Sequence, residues 1–191
     1  MNVPLFDVNA QTHPIADELR KAFDSVLESG RFIMGDEVEA FETSLAEFVG
    51  AKHAIGVSSG TDAILLALMA LGIGHGDEVI CPSFTFFATA GCIARTGATP
   101  VFCDCHPDTF NVDFASAEEC VTDKTNAIIP VHLFGQSVDM DACAAFAKKH
   151  SLKVIEDTAQ SLGAKYGDKS CGAMAEFGTY SFFPSKNLGG L

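Results

Sequence analysis

Six short apolar runs, most of them separated by stretches with helical spacing, constrain this chain more than any other feature. They occupy residues 54–57, 78–81, 100–103, 127–131, 153–156 and 177–182. Runs such as Val79-Ile80-Cys81 and Val154-Ile155 do not alternate with polar residues, so strands built from them would be buried on both faces. Such strands belong to a mostly parallel sheet flanked by helices. The helices between them are predicted over residues 61–71, 87–95, 114–121 and 139–150. Ahead of the strands, Ile15, Leu19, Phe23, Val26 and Leu27 share one face over 15–30, with Gly30 as a stop. Val38, Phe41, Leu45 and Phe48 mark the inward face of another helix over 36–48. The expected fold class is therefore α/β, and in such sheets ligands sit beyond the carboxyl ends of the strands.

Composition narrows the function classes. A length of 191 residues, with 48% hydrophobic and 19% charged residues, suits one domain with a packed core rather than disorder. A net charge of −13 repels phosphate backbones and argues against nucleic acid as a partner. The seven cysteines form no regular framework, and Cys81, Cys92 and Cys143 lie within apolar runs. They are expected to be reduced, mostly buried thiols of a cytoplasmic protein. Cys103-Asp104-Cys105-His106 could be read as metal ligands, but no second ligand pair stands at a recognisable spacing. A strand end running into a turn at Pro107 accounts for it, and no metal is expected. Residues 1–7 lack a basic region and an apolar core, so no signal peptide is expected. No apolar run reaches the length of a bilayer span, so no membrane partner is expected either.

The chemistry gathers at predicted strand ends. Lys186 lies in Ser181-Phe182-Phe183-Pro184-Ser185-Lys186-Asn187-Leu188-Gly189-Gly190, after aromatics and a proline and before a turn. Asp157-Thr158-Ala159-Gln160 directly follows the fifth apolar run. Ser58-Ser59-Gly60-Thr61-Asp62 joins a predicted strand to a helix, where free amides favour an anion. Each feature has an ordinary reading: Ser-Gly-Thr as a helix cap, aspartate as a turn residue, lysine as a solvated charge, as Lys165 and Lys169 are expected to be. The helix start is not a phosphate loop of the Gly-Lys-Ser/Thr type. In this order, however, the three suit pyridoxal phosphate. Lys186 would form the Schiff base, Asp157 would keep the pyridine nitrogen protonated, and the helix start would hold the phosphate. Gln160 could bond the ring hydroxyl. Of the aromatics in Pro82-Ser83-Phe84-Thr85-Phe86-Phe87, Phe84 and Phe87 are expected in the core.

The chain resembles the DegT/DnrJ/EryC1/StrS sugar aminotransferases over essentially all its residues. The matching stretches are 35–42, 59–63, 76–80, 82–89, 130–136, 156–163 and 181–189. The resemblance implies the large domain of the fold-type-I pyridoxal phosphate architecture, with residues 1–191 forming an N-terminal segment and an incomplete cofactor-binding domain, and with a small C-terminal domain lying beyond this chain. It implies Lys186 as Schiff-base lysine and proton shuttle, Asp157 at the pyridine nitrogen and Gln160 at the ring hydroxyl. It further implies Phe86 stacked on the ring, and Gly60, Thr61 and Ser181 at the phosphate. Residues 31–35 would approach a sugar nucleotide. The implied reaction takes an amino group from glutamate to a nucleotide-linked keto sugar, with C3 of a UDP-sugar suggested by residues 181–186. A homodimer is implied as well. Alternatives are a dehydratase, which Lys186 opposes because those relatives carry histidine there; a regulatory protein, which the acidic charge opposes; and a non-catalytic truncated domain.

Overall fold

A computed structural model describes Pro4 and residues 7–190. These divide into two compact units, residues 1–48 with 52–56, and residues 49–51 with 57–191.

The first unit is helical: α1 (Val8–Thr12), a single 3-10 turn (His13–Ile15), α2 (Ala16–Ser29) and most of α3 (Asp36–Val49). Asp17 and Glu18 face the positive end of α2, and Gly30 ends it in the left-handed region, at φ 65°, its N–H donating to the Val26 and Leu27 carbonyls. The expected apolar face is present, but α2 buries none of it; Phe23 and Leu27 are exposed. Phe41 and Phe48 of α3 are likewise exposed rather than inward, and Val49 is the one buried residue of that helix. Spacing reports which residues share a face, not whether anything covers it.

The second unit is the α/β body. Strands β1 (Glu78–Pro82), β2 (Thr99–Cys103), β3 (Thr125–Ile128), β4 (Lys153–Asp157) and β7 (Phe177–Thr179) form one sheet in the order β2-β1-β3-β4-β7, and every recorded pair in it is parallel. Helices α4 (Gly60–Ala70) and α5 (Ala88–Arg95) pack on one face with Val79, Cys81, Ala127, Ile129 and Ile155. Ile80, Ile128 and Val154 point the other way, toward α6 (Phe114–Glu119) and α7 (Met140–His150). Successive strand residues thus feed opposite cores, which is why the runs are continuously apolar.

Residues 54–57 form no strand: Ile55 is 79% exposed, and among the described residues they have no ladder partner. β3 ends before Pro130, with Val131 making only an isolated parallel bridge to Asp157, and β7 stops at Thr179 rather than 182. A two-stranded hairpin, β5 (Lys165–Tyr166) with β6 (Lys169–Ser170), turns at Gly167 with φ 57°. Its Lys165 and Lys169 are exposed, as expected. All cysteines are free thiols, five of them buried. Cys103 turns its Sγ toward the Cys81 carbonyl, and among the described residues no cluster could hold a metal ion. No helix among the described residues is long and apolar enough to cross a membrane.

Candidate functional site

The carboxyl ends of β1, β4 and β7 and the start of α4 bring most of the singled-out residues together, all within the second unit. Ser59 caps α4, its Oγ accepting the Asp62 N–H at 3.0 Å. The Gly60 and Thr61 N–H groups have no acceptor among the described residues, so the helix start keeps two donors and its positive dipole end for an anion. Gly60 is required by crowding: a Cβ there would sit 2.8 Å from Ser181 Cβ and 3.1 Å from the Tyr180 carbonyl oxygen. The bare backbone of α4 thereby closes on Ser181, just past β7. Asp62 faces away into its own network, accepting from Ser58 Oγ and pairing with Arg95 at 3.7 Å. The Ser58 hydrogen bond is the largest influence lowering its pKa.

Asp157 ends β4 with 4% of its surface exposed. Its Oδ2 accepts from Thr89 Oγ1 at 2.9 Å and its Oδ1 from the Ala159 N–H at 3.2 Å. Burial raises its pKa, against the opposing pull of those two donors and of Lys186. An acid of this kind gains from any cation placed against it.

Lys186 reaches back over this region. Its Nζ lies 6.0 Å from the centroid of the Phe86 ring, within cation–π range. Its charge acts on Asp157. The backbone beneath it is a turn closed by the Lys186 N–H donating to the Phe183 carbonyl at 2.8 Å. Phe86 is 67% exposed, so its ring stands open. Phe84 and Phe87, expected in the core, are 51% and 82% exposed; Phe84 meets Phe110 at 5.6 Å between ring centroids. After β1 the chain leaves the sheet, and only Pro82 of that stretch still belongs to a strand. Gln160 Oε1 accepts the Phe134 N–H at 3.0 Å, which directs its amide NH2 elsewhere. Phe134 takes a left-handed conformation, φ 55°, to make that bond.

Two features had no part in the sequence expectations. Thr85 Oγ1 lies 3.0 Å from Thr89 Oγ1, so a hydroxyl pair leads to Asp157. On the opposite side of β4, fully buried Glu156 accepts the N–H groups of Gly172 and Met174, each at 2.7 Å, and faces His132 Nε2 at 3.0 Å. Burial disfavours a charged His132 ring, while Cys171 and Glu156 favour one. The Val138 N–H points at Nδ1 at 3.0 Å and needs a lone pair there, so the proton sits on Nε2, facing Glu156. His132 lies in a quoted stretch, but nothing in its spacing shows a partner 24 residues away.

Together the site offers a primary amine, an open aromatic face, a buried carboxylate, an amide donor and an anion cradle. That set suits a flat, phosphorylated ring with a basic nitrogen.

The sequence profile of the DegT/DnrJ/EryC1/StrS aminotransferase family matches residues 13–190. The chain belongs to this family. Among curated DegT/DnrJ/EryC1/StrS relatives it is 56% identical to a "pleiotropic regulatory protein" of Geobacillus stearothermophilus, over 99% of this chain and 51% of that one. It is 46% identical to a UDP-N-acetyl-3-dehydro-α-D-glucosamine 3-aminotransferase of Acidithiobacillus ferrooxidans, over 98% of this chain and 51% of that one. The crystal structure of NtdA from Bacillus subtilis, with its cofactor PMP bound, matches with a TM-score of 0.91 and 37% identity, over 98% of this chain and 42% of that one. The chain spans about half the length of the curated relatives it matches.

Proposed function

We propose that this chain carries the cofactor site of a pyridoxal phosphate-dependent aminotransferase that moves an amino group from glutamate to a nucleotide-linked keto sugar, C3 of a UDP-sugar being the preferred acceptor. The observation that carries this reading is the placement of Lys186 Nζ 6.0 Å from the Phe86 ring centroid, with Asp157 buried at the end of β4. Membership of an aminotransferase family supports the chemistry, and the activity for which the Acidithiobacillus relative is named supports the acceptor.

When bound, the cofactor supplies a ring that can take up an electron pair from the substrate carbon. The chain's own residues do the rest. Gly60 and Thr61 donate backbone N–H groups to the phosphate, and Ser181 adds its hydroxyl. Asp157 holds the ring nitrogen by its carboxylate, Gln160 offers its NH2 to the ring hydroxyl, and Phe86 covers one ring face. Lys186 would anchor the cofactor by its amine and, as a free amine, would take a proton from the substrate carbon. Glutamate leaves as 2-oxoglutarate, and the keto sugar receives the nitrogen in the second half. The protein acts as a homodimer in the cytoplasm.

The name of the Geobacillus relative favours a regulatory role as the second reading. The two separate by spectroscopy. Purified protein with added pyridoxal phosphate is expected to show a visible absorption band that Lys186→Ala abolishes and that glutamate bleaches. A band that survives Lys186→Ala removes Lys186 from its role. A band that glutamate leaves untouched favours a cofactor-shaped site without turnover.

A further inference from the structure

Thr89 comes from the second position of α5, 68 residues from Asp157 in sequence, and its side chain is fully buried. A threonine hydroxyl has one proton to give. With that proton on Asp157 Oδ2 at 2.9 Å, the contact to Thr85 Oγ1 at 3.0 Å has one possible direction, Thr85 donating to Thr89. The two hydroxyls then form a directed chain ending on the carboxylate. If Asp157 were protonated on Oδ2, the Thr89 hydroxyl would have to turn round and accept, and its donation to the carboxylate would be lost. The other oxygen is committed to the Ala159 N–H at 3.2 Å, which can only donate. With Thr89 and the Ala159 N–H both donating, the arrangement favours the charged carboxylate and works against the effect of burial.

We propose that Thr89, oriented by Thr85, is a positioning residue that donates to the Asp157 carboxylate, favouring its charged form and fixing its orientation for a protonated ring nitrogen. The inference rests on the cofactor reading above. The need for such a device follows from burial, which disfavours the charge that the ring nitrogen requires. Lys186 also acts on Asp157, the Cys92 thiol lies within its field, and the His132 ring, neutral with its proton on Nε2, adds no charge there. Lys186 is the group whose charge changes when it anchors a cofactor, so the hydroxyl chain is the support that stays constant through the reaction.

The test follows the Asp157 carboxyl carbon by NMR in the cofactor-free full chain, assigned by its loss in Asp157→Asn. It pairs that titration with binding of pyridoxamine phosphate, which needs no bond to Lys186. Thr89→Val, which keeps the shape and removes the hydroxyl, is expected to move the titration upward and weaken pyridoxamine phosphate binding roughly ten- to a hundredfold, the range of a lost hydrogen bond to a charged group. Thr89→Ser is expected to restore both. Thr85→Val, at a half-buried position, should shift both in the same direction by less and serves if Thr89→Val does not fold. A titration unmoved in Thr85→Val and Thr89→Val overturns the proposal while leaving the functional reading intact. A wild-type protein that does not bind pyridoxamine phosphate overturns the functional reading, and with it the role given to Thr89.

Discussion

A carboxyl group as deeply buried as Asp157 sheds its charge more readily than one in water, and the sign of that effect is measurable without any ligand. Its folded pKa is raised above the unfolded value near 3.8, so the folded state binds a proton more tightly than the unfolded state. The stability it contributes is fully present below the unfolded pKa and is lost as pH rises toward the folded pKa. Asp62, Glu118 and Asp139 have lowered pKa values and act with the opposite slope. The informative quantity is therefore the difference between the wild type and Asp157→Asn. Thermal unfolding of the cofactor-free protein from pH 4 upward should show the wild type losing stability relative to Asp157→Asn as pH rises. The reverse slope would mean that the Thr89 and Ala159 donors outweigh burial even without a cofactor. Bound cofactor should cancel the trend, because a cation against Asp157 removes the cost of its charge.

At the scale of elements, Glu156 is the post that fixes the loop before β7. Its carboxylate accepts from Gly172 and Met174 and faces His132, while the Tyr180 hydroxyl donates to the Cys171 carbonyl at 2.6 Å. The packing leaves no slack: a Cβ on Gly178 of β7 would fall 1.9 Å from the Gly172 carbonyl oxygen. Glu156→Ala would strand two buried donors and the half-buried Met174 N–H and is expected to cost about 3 kcal/mol or more, lowering Tm by about 10 °C. Calorimetry checks this, and a change under 2–3 °C would show that water replaces the carboxylate at little cost. Neighbouring residues of one strand thus point apart, Asp157 toward Thr89 and Glu156 toward the loop before β7. That division explains what was legible in the sequence. Strands β1 to β4 and helices α2 to α7 follow from apolar period and caps, which are local. Lys186, Phe86 and Asp157 stand at strand or loop ends, where chemistry is expected in such folds, and the structure brings them together. Thr89, Thr85 and the His132–Glu156 pair were not legible, because their meaning lies in partners many residues away and threonine beside apolar neighbours looks like filler. Residues 54–57 failed as a strand for the same reason: composition does not supply a ladder partner.

At the scale of the molecule, the acidic charge and the exposed apolar surface pull in opposite directions. Phe87 and Phe134 are 82% and 72% exposed, and Phe84, Phe86, Phe110 and Phe183 also stand open around the carboxyl ends of the sheet. Folded monomers rarely leave so many aromatics in water on one side. A charge of −13 at the same time repels a second copy and keeps the chain dispersed. If the proposed homodimer forms, apolar burial must drive it against that repulsion. Salt screens like charges over roughly 10 Å at 0.1 M and leaves apolar burial intact or strengthened. Sedimentation at micromolar concentration is therefore expected to show twice the mass of one chain, with association tightening as salt rises. Phe87→Glu, which adds charge at the most exposed of these aromatics, should weaken it. A monomer at every concentration would remove the dimer from the proposed function. A dimer that salt dissociates would place the interface on paired charges instead of the aromatic surface.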